Sequence, residues 1–248
     1  MGQRYQKQVI LEQIGQKGQK KLSQSSVLIA GCGGLGCLIA DFMVRAGIGK
    51  ITLVDRDVVE LDNLHRQILF DEGDAKKAAP KALAASEKLK KANSEVDIKA
   101  LVADISPVNV EEAIQDADLV LDGTDNFETR FFLNDACLKK RIPWVYGGVV
   151  ATRGMCLAVI PGKTPCLRCF LSEPPPPGEV PTCETVGVLG PAVAVIASLE
   201  VSEGLKILMG KNDELLEGMV NFDIWTGDWE LFKIKKNPEC PACSQGEY

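Results

Sequence analysis

The chain has 248 residues, a length that suits one large α/β unit and can bury a sizeable core. Its hydrophobic and charged fractions, 46% and 25%, are those of ordinary globular proteins, and its net charge of −6 argues against nucleic acid as the main partner, which calls for a basic face. The polar start lacks the apolar core of a signal peptide, and the apolar stretch 188–199 is interrupted by Gly190, Pro191 and Ser198 and is too short to span a bilayer, so a soluble, cytoplasmic protein away from membranes is expected.

In chain order, residues 8–24 read as an amphipathic entry helix. Residues 26–30 are an apolar, β-branched run followed by Gly31-Cys32-Gly33-Gly34-Leu35-Gly36, a helix over 37–46 closed by Gly47, and a second strand over 50–54 ending at Asp55. Strand, glycine loop, helix and strand in that order make a βαβ unit. A helix is predicted over 75–92, a strand over 97–102, a helix over 107–115, a strand over 118–122, a helix over 126–140 and a strand from Pro143. This alternation predicts a doubly wound, mainly parallel Rossmann-like sheet up to about residue 150. Beyond it come strand character over 149–160 around Gly154, a stiff proline run over 174–178 in which no helix can form, an apolar helix over 188–209 ended by Gly210, and late strands over 220–222 and 230–234. The C-terminal part, 151–248, is expected as an antiparallel lobe on the same sheet, making 1–248 a single domain.

The glycine loop contains the spacing G-x-G-x-x-G in Gly31, Gly33, Gly34 and Gly36. Glycines let the backbone approach phosphate oxygens, and the following helix N-terminus offers free N–H groups and a positive dipole end. Asp55, at the end of the second strand, can accept both ribose hydroxyls, with Asp57 two residues on as a second acid or a turn cap. These features alone fit NAD, FAD or ATP. Asn63-Leu64-His65-Arg66-Gln67 shifts the balance to ATP, because Arg66 can neutralise phosphate with its planar fork and Asn63 can bind a phosphate or hydroxyl. Lys81 can reach a phosphate as a point charge, although lysines are common on that segment and Lys76 and Lys77 are alternatives. Asp125 and Asn126 fall at the carboxyl end of the fourth predicted strand, where an open α/β sheet binds its ligand. Asp125 suits Mg2+, while capping of the next helix by either residue is the competing reading.

The chain has nine cysteines and one histidine. A single histidine removes most hydrolase readings that need an imidazole base. Cys166/Cys169 and Cys240/Cys243 are paired C-x-x-C motifs expected to complete a tetrahedral four-cysteine zinc site, structural because no coordination position is left open; the competing thiol–disulfide pair of the thioredoxin kind would explain one motif and not its twin. Cys183, placed before the apolar helix, is expected to be exposed with a lowered pKa and is the candidate for a covalent step, opposed by the adjacent Glu184 and by the reading of an idle loop cysteine. Cys32, Cys37, Cys137 and Cys156 lie in apolar runs and are expected in the core.

Together the Gly31–Gly36 loop, Asp55 and Asp57, Asn63, Arg66 and Gln67, Pro80-Lys81, Thr124-Asp125-Asn126 and both cysteine pairs resemble the ThiF/MoeB/HesA family, relatives of ubiquitin-activating enzymes, from Arg4 to Cys243. The resemblance implies a homodimer that uses ATP and Mg2+ to adenylate the Gly-Gly carboxylate of a small ubiquitin-like sulfur-carrier protein, the adenylate later accepting sulfur from a partner such as a sulfurtransferase. It also implies that Gly34 contacts the nucleotide, Asp55 holds ribose, Asn63, Arg66 and Lys81 surround the phosphates, Asp125 positions magnesium and Cys183 matches a position of covalent linkage. Where the family has a second arginine reaching the partner subunit's ATP, this chain has Lys7, which keeps the charge and loses the fork. The rival readings are an NAD- or FAD-dependent oxidoreductase, a non-catalytic module binding a ubiquitin-like partner and, within the superfamily, an RNA dehydratase.

Overall fold

A computed structural model describes residues 3–176 and 178–248; Met1 and Gly2, in the polar start, and Pro177, in the proline run, lie outside the described residues. Short helices α1 (Gln6–Val9) and α2 (Gly15–Leu22) lead into the strands β1 (Ser26–Ala30), β2 (Lys50–Val54), β3 (Asp97–Leu101), β4 (Leu119–Asp122), β5 (Trp144–Val150), β6 (Arg153–Val159), β7 (Met219–Asp223) and β8 (Asp228–Phe232). Helices α3 (Gly34–Ala46), α4 (Glu72–Lys76), α5 (Lys81–Ala92), α6 (Val110–Ile114), α7 (Phe127–Lys140), α8 (Cys183–Val186) and α9 (Gly190–Met209) connect them. One sheet runs in the order β3-β2-β1-β4-β5-β6-β7-β8, parallel from β3 to β5 and antiparallel from β5 to β8.

Period-two alternation sorts the side chains of the central strands into two cores. Val27, Ile29, Ile51, Leu53, Leu119 and Leu121 face one cluster with Ile39, Met43, Leu89 and Ile196 of α3, α5 and α9. Leu28, Ala30, Val120, Trp144 and Tyr146 face the other, with Phe131 and Cys137 of α7 and the paired cysteines Cys166 and Cys240. Cys32, Cys37, Cys137 and Cys156 are all buried, as expected.

The expected helix over 8–24 is two helices, because the chain turns between Val9 and Gly15, where Gly15 takes a φ of 59°. The expected helix over 75–92 starts at Lys81: Pro80 has no N–H to donate and disfavours helical geometry in the residue before it, and the preceding turn runs through Ala78 at φ 46°. The helix expected over 107–115 shortens to α6, and the last strand ends two residues earlier than its pattern suggested. Among the described residues no helix is long and apolar enough to cross a membrane.

Candidate active site

Strand order reverses between β1 and β4, whose following segments diverge to opposite sides of the sheet and open a crevice at the carboxyl ends of the strands. A cavity of about 730 Å3 occupies it. Its floor is the glycine loop. Gly31 takes a φ of 89°, and a methyl group added to it would lie 2.5 Å from the Gly123 carbonyl oxygen. One added to Gly36 would lie 1.9 Å from the Gly31 carbonyl oxygen. Both contacts are to backbone, so neither position admits a side chain without moving the loop and α3. Gly33 and Gly34 line the cavity at the N-terminus of α3, where helix N–H groups are free for an anion.

Asp55, just past β2, anchors this floor. Its Oδ2 accepts the Cys32 N–H at 2.6 Å and its Oδ1 the Asp57 N–H at 2.7 Å. Burial raises its pKa, and those two N–H groups and Lys81 pull it back. Each oxygen keeps a lone pair for a ligand hydroxyl. Lys81 opens α5 with its N–H on the Asp57 carbonyl and its Nζ 3.2 Å from Asp57 Oδ2. Arg56, also at the cavity, is bound to Asp104 at 2.7 Å. Arg66 differs: Nη1 donates to the Asp62 carbonyl at 3.0 Å, and no carboxylate pairs with it among the described residues. Gln67 beside it lines the cavity and is buried, yet its Oε1 has no hydrogen-bond partner among the described residues.

On the β4 side, Asn126 is the N-cap of α7, accepting the Thr129 N–H at 2.9 Å, so the capping reading holds for Asn126 while Asp125 stays exposed at the cavity mouth. Asp125 Oδ1 has only a 3.4 Å contact from Asn126 Nδ2. Cys183 and Glu184 reach the cavity from α8.

The structure thus brings Gly31, Gly33, Gly34, Asp55, Asp57, Arg66, Gln67, Lys81, Asp125, Asn126 and Cys183 to one cavity. It does not bring Asn63 there. Asn63 is buried, its Oδ1 accepting the Glu60 N–H and its Nδ2 donating to Asp62, and it shapes the turn that presents Arg66. Lys7 lies exposed on α1, outside the cavity of its own chain, and Lys76 pairs with Glu72 away from it. The lowered pKa expected for Cys183 is corrected: the thiol is half-buried, donates to the Val149 carbonyl at 3.4 Å, and burial raises its pKa despite the pull of Arg66.

Arg130 is the site residue the sequence reading missed. It is buried on the first turns of α7, with Nε 3.0 Å from Asp122 Oδ2 and Nη2 donating to the carbonyls of Thr124 at 2.8 Å and Gly147 at 3.0 Å. It lines the cavity and stacks over Phe127 and Tyr146. The signal was a charge inside the run Arg130-Phe131-Phe132-Leu133.

Packed against α7, Sγ atoms of Cys166, Cys169, Cys240 and Cys243 lie within 4.8 Å of one another, with 166–240, 166–169 and 169–243 separations of 3.6, 3.9 and 3.4 Å. Tetrahedral zinc–thiolate bonds set sulfurs about 3.8 Å apart, so the cluster suits a metal rather than disulfides.

The fold and crevice define a doubly wound, Rossmann-like α/β protein with an open cavity at its switch point. The chain belongs to the ThiF family, which matches residues 5–242. It is 41% identical over 247 residues to the sulfur carrier protein ThiS adenylyltransferase of Bacillus subtilis, covering 99% of this chain and 72% of that one. It is 38% identical to the sulfur carrier protein adenylyltransferase of Thermus thermophilus, covering 97% and 90%. To adenylyltransferase and sulfurtransferase MOCS3 of Anopheles gambiae it is 38% identical over 98% of this chain and 55% of the longer relative. Escherichia coli MccB, solved with ATP, shares the fold at a TM-score of 0.83 with 24% identity, over 98% of this chain and 75% of that one. The chain is an enzyme of the adenylyltransferase class.

Proposed function

We propose that this enzyme transfers AMP from ATP to the C-terminal Gly-Gly carboxylate of a small ubiquitin-like sulfur carrier, releasing pyrophosphate and leaving an acyl-adenylate. The observation that carries this is the cavity wall: a glycine loop and helix N-terminus, an acid with lone pairs to spare for ribose, and in Arg66 a cation with no carboxylate of its own. The unpartnered Gln67 Oε1 fits a ligand donor at the same place.

A peptide carboxylate is already ionised at neutral pH, so attack on the α-phosphorus requires no general base, which suits a chain with one histidine. The protein's task is positioning and charge neutralisation. Arg66 meets the phosphates through its fork. Lys81, 3.2 Å from Asp57, trades that carboxylate for phosphate oxygen as the ligand enters. Asp125 would hold Mg2+, which neutralises the leaving pyrophosphate when bound. Lys7, exposed near the N-terminus, is assigned to the nucleotide of a partner subunit in a homodimer. Attack of the Cys183 thiolate on the acyl-adenylate would expel AMP and leave a thioester, after loss of a proton that burial holds. The four-cysteine cluster is assigned to structural Zn2+, tying the segment before Cys243 to the turn at Cys166.

Calorimetric titration with Mg-ATP and with NAD separates this reading from an oxidoreductase. Tight Mg-ATP binding weakened by Arg66→Ala is expected; preferential NAD binding overturns it.

A further inference from the structure

Helix α9 carries an acid in its interior-facing side. Glu200 lies in the middle of its apolar face, fully buried, and neither carboxylate oxygen has a hydrogen-bond partner among the described residues. Besides Arg130, the backbone N–H of Asp122 is the group that favours the charged carboxyl. The carboxyl rests on the backbone of β5: a methyl group on Gly147 would lie 1.8 Å from Glu200 Oε1. On its other side the Gly147 carbonyl accepts Arg130 Nη2, at the cavity wall.

The groups facing Glu200 come from every layer around it. Asp122 arrives from β4, Arg130 from α7, Tyr146 from β5 and Cys156 from β6, while on α9 Glu203 is already bound by Lys206 and the Leu216 N–H. Arg130 is the one cation among the groups that interact with Glu200, and it is committed to Asp122. A second buried negative charge would compete with Asp122 for that guanidinium, and an unpaired charge inside protein is costly.

We propose that Glu200 is a positioning residue for the nucleotide cavity: as a neutral carboxylic acid it braces Gly147, which with Asp122 and Thr124 holds Arg130 at the cavity wall, and loss of its proton draws Arg130 out of that place. Burial, with Asp122 adding to it, pushes Glu200 well above the usual carboxylate range. The proposal rests on the adenylation reading for its activity readout and on the fold alone for its stability readout.

The test compares wild type, Glu200→Gln and Glu200→Ala between pH 6 and 9.5, measuring urea unfolding, Mg-ATP binding and carrier-dependent ATP–pyrophosphate exchange. Glutamine has the same shape and cannot ionise. A folded-state pKa above the unfolded one gives stability that falls as pH rises between the two. Wild type therefore loses stability with rising pH more steeply than Glu200→Gln, which keeps only the fall above about pH 8.5 due to the buried thiols, and wild-type ATP affinity falls where the folded carboxyl ionises while Glu200→Gln keeps its affinity and keeps exchange within about twofold at pH 7. Glu200→Ala, which removes the brace, raises the KM for ATP several-fold more than it lowers kcat. Superimposable wild-type and Glu200→Gln profiles, or a tenfold loss in Glu200→Gln at pH 7, overturn the proposal. If none of the three proteins binds Mg-ATP, the adenylation reading has failed, and the unfolding profiles still decide Glu200: differing slopes uphold its buried proton, and equal slopes overturn it.

Discussion

Replacing Arg130 by methionine tests the electrostatics of the site most sharply. The guanidinium is 7% exposed and its partner Asp122 is fully buried. The substitution keeps most of the stem and removes three hydrogen bonds, of 3.0, 2.8 and 3.0 Å. Asp122 then has two options. It stays charged without its cation, which for a buried pair costs about 3–5 kcal/mol. Otherwise it takes up a proton, and holding an aspartate neutral at pH 7 against an unfolded value near 4 costs about 4 kcal/mol. The Thr124 N–H and hydroxyl still donate to Asp122 Oδ1, at 2.9 and 2.6 Å, and favour the charged form. Both routes give a loss of about 3–5 kcal/mol at pH 7, a large part of a typical domain's stability. Protonation adds a signature: the variant's deficit shrinks by up to about 1.4 kcal/mol per pH unit on going from 7 towards 5, because its folded state now binds a proton the unfolded state releases. Urea unfolding followed by tryptophan fluorescence at pH 5, 6 and 7 measures both. Changing Asp122 to asparagine in the same variant removes the orphaned charge and recovers part of the loss. A deficit below about 1 kcal/mol in Arg130→Met would show that Arg130 and Asp122 are not the buried pair described.

Elemental analysis of purified protein should find one zinc per chain, and Cys240→Ser, at a buried ligand position, should abolish it and lower the unfolding midpoint; full stability without metal contradicts a structural site. Cys183 should react with iodoacetamide more slowly at pH 7.5 than a free thiol, accelerating towards and above pH 9 as the thiolate forms, and a faster-than-free rate would show that helix and arginine outweigh burial. Gly36→Ala should destabilise by more than 1–2 kcal/mol, about the cost of overpacking against backbone, and should weaken Mg-ATP binding; an unchanged Kd would mean that the loop does not shape the cavity.

Much of the nucleotide half was legible because its punctuation is local. The β-branched run of β1, the glycines after it and the acid ending β2 each fix one element, and short connections leave little choice of topology. The paired C-x-x-C spacing likewise located the four-cysteine cluster without any fold. What stayed hidden depends on tertiary neighbours. Arg130 and Glu200 sit in helices that read as capped or apolar, and only packing shows that one bridges three acceptors while the other has none. Asn63 has the right residue type for a phosphate ligand, and the turn consumes both of its polar atoms. Cys183 carries the signal of an activated thiol, but burial against Val149 reverses the direction. The breaks at Gly15 and Pro80 were visible as residues, and the helical periodicity running through them concealed their effect.

In the proposed reaction one crevice holds Mg-ATP with Arg66 and Asp125 at its phosphates while a carrier's terminal carboxylate attacks. Isotope exchange between pyrophosphate and ATP, run with a panel of Gly-Gly-ended ubiquitin-like carriers, measures that step. Exchange should require a carrier with a free C-terminal carboxylate, and Arg66→Ala and Asp125→Ala should each reduce it by about a hundredfold or more, the loss of about 3 kcal/mol of charge stabilisation. Exchange that proceeds without any carrier, or that survives both substitutions, rules out this chemistry at the crevice.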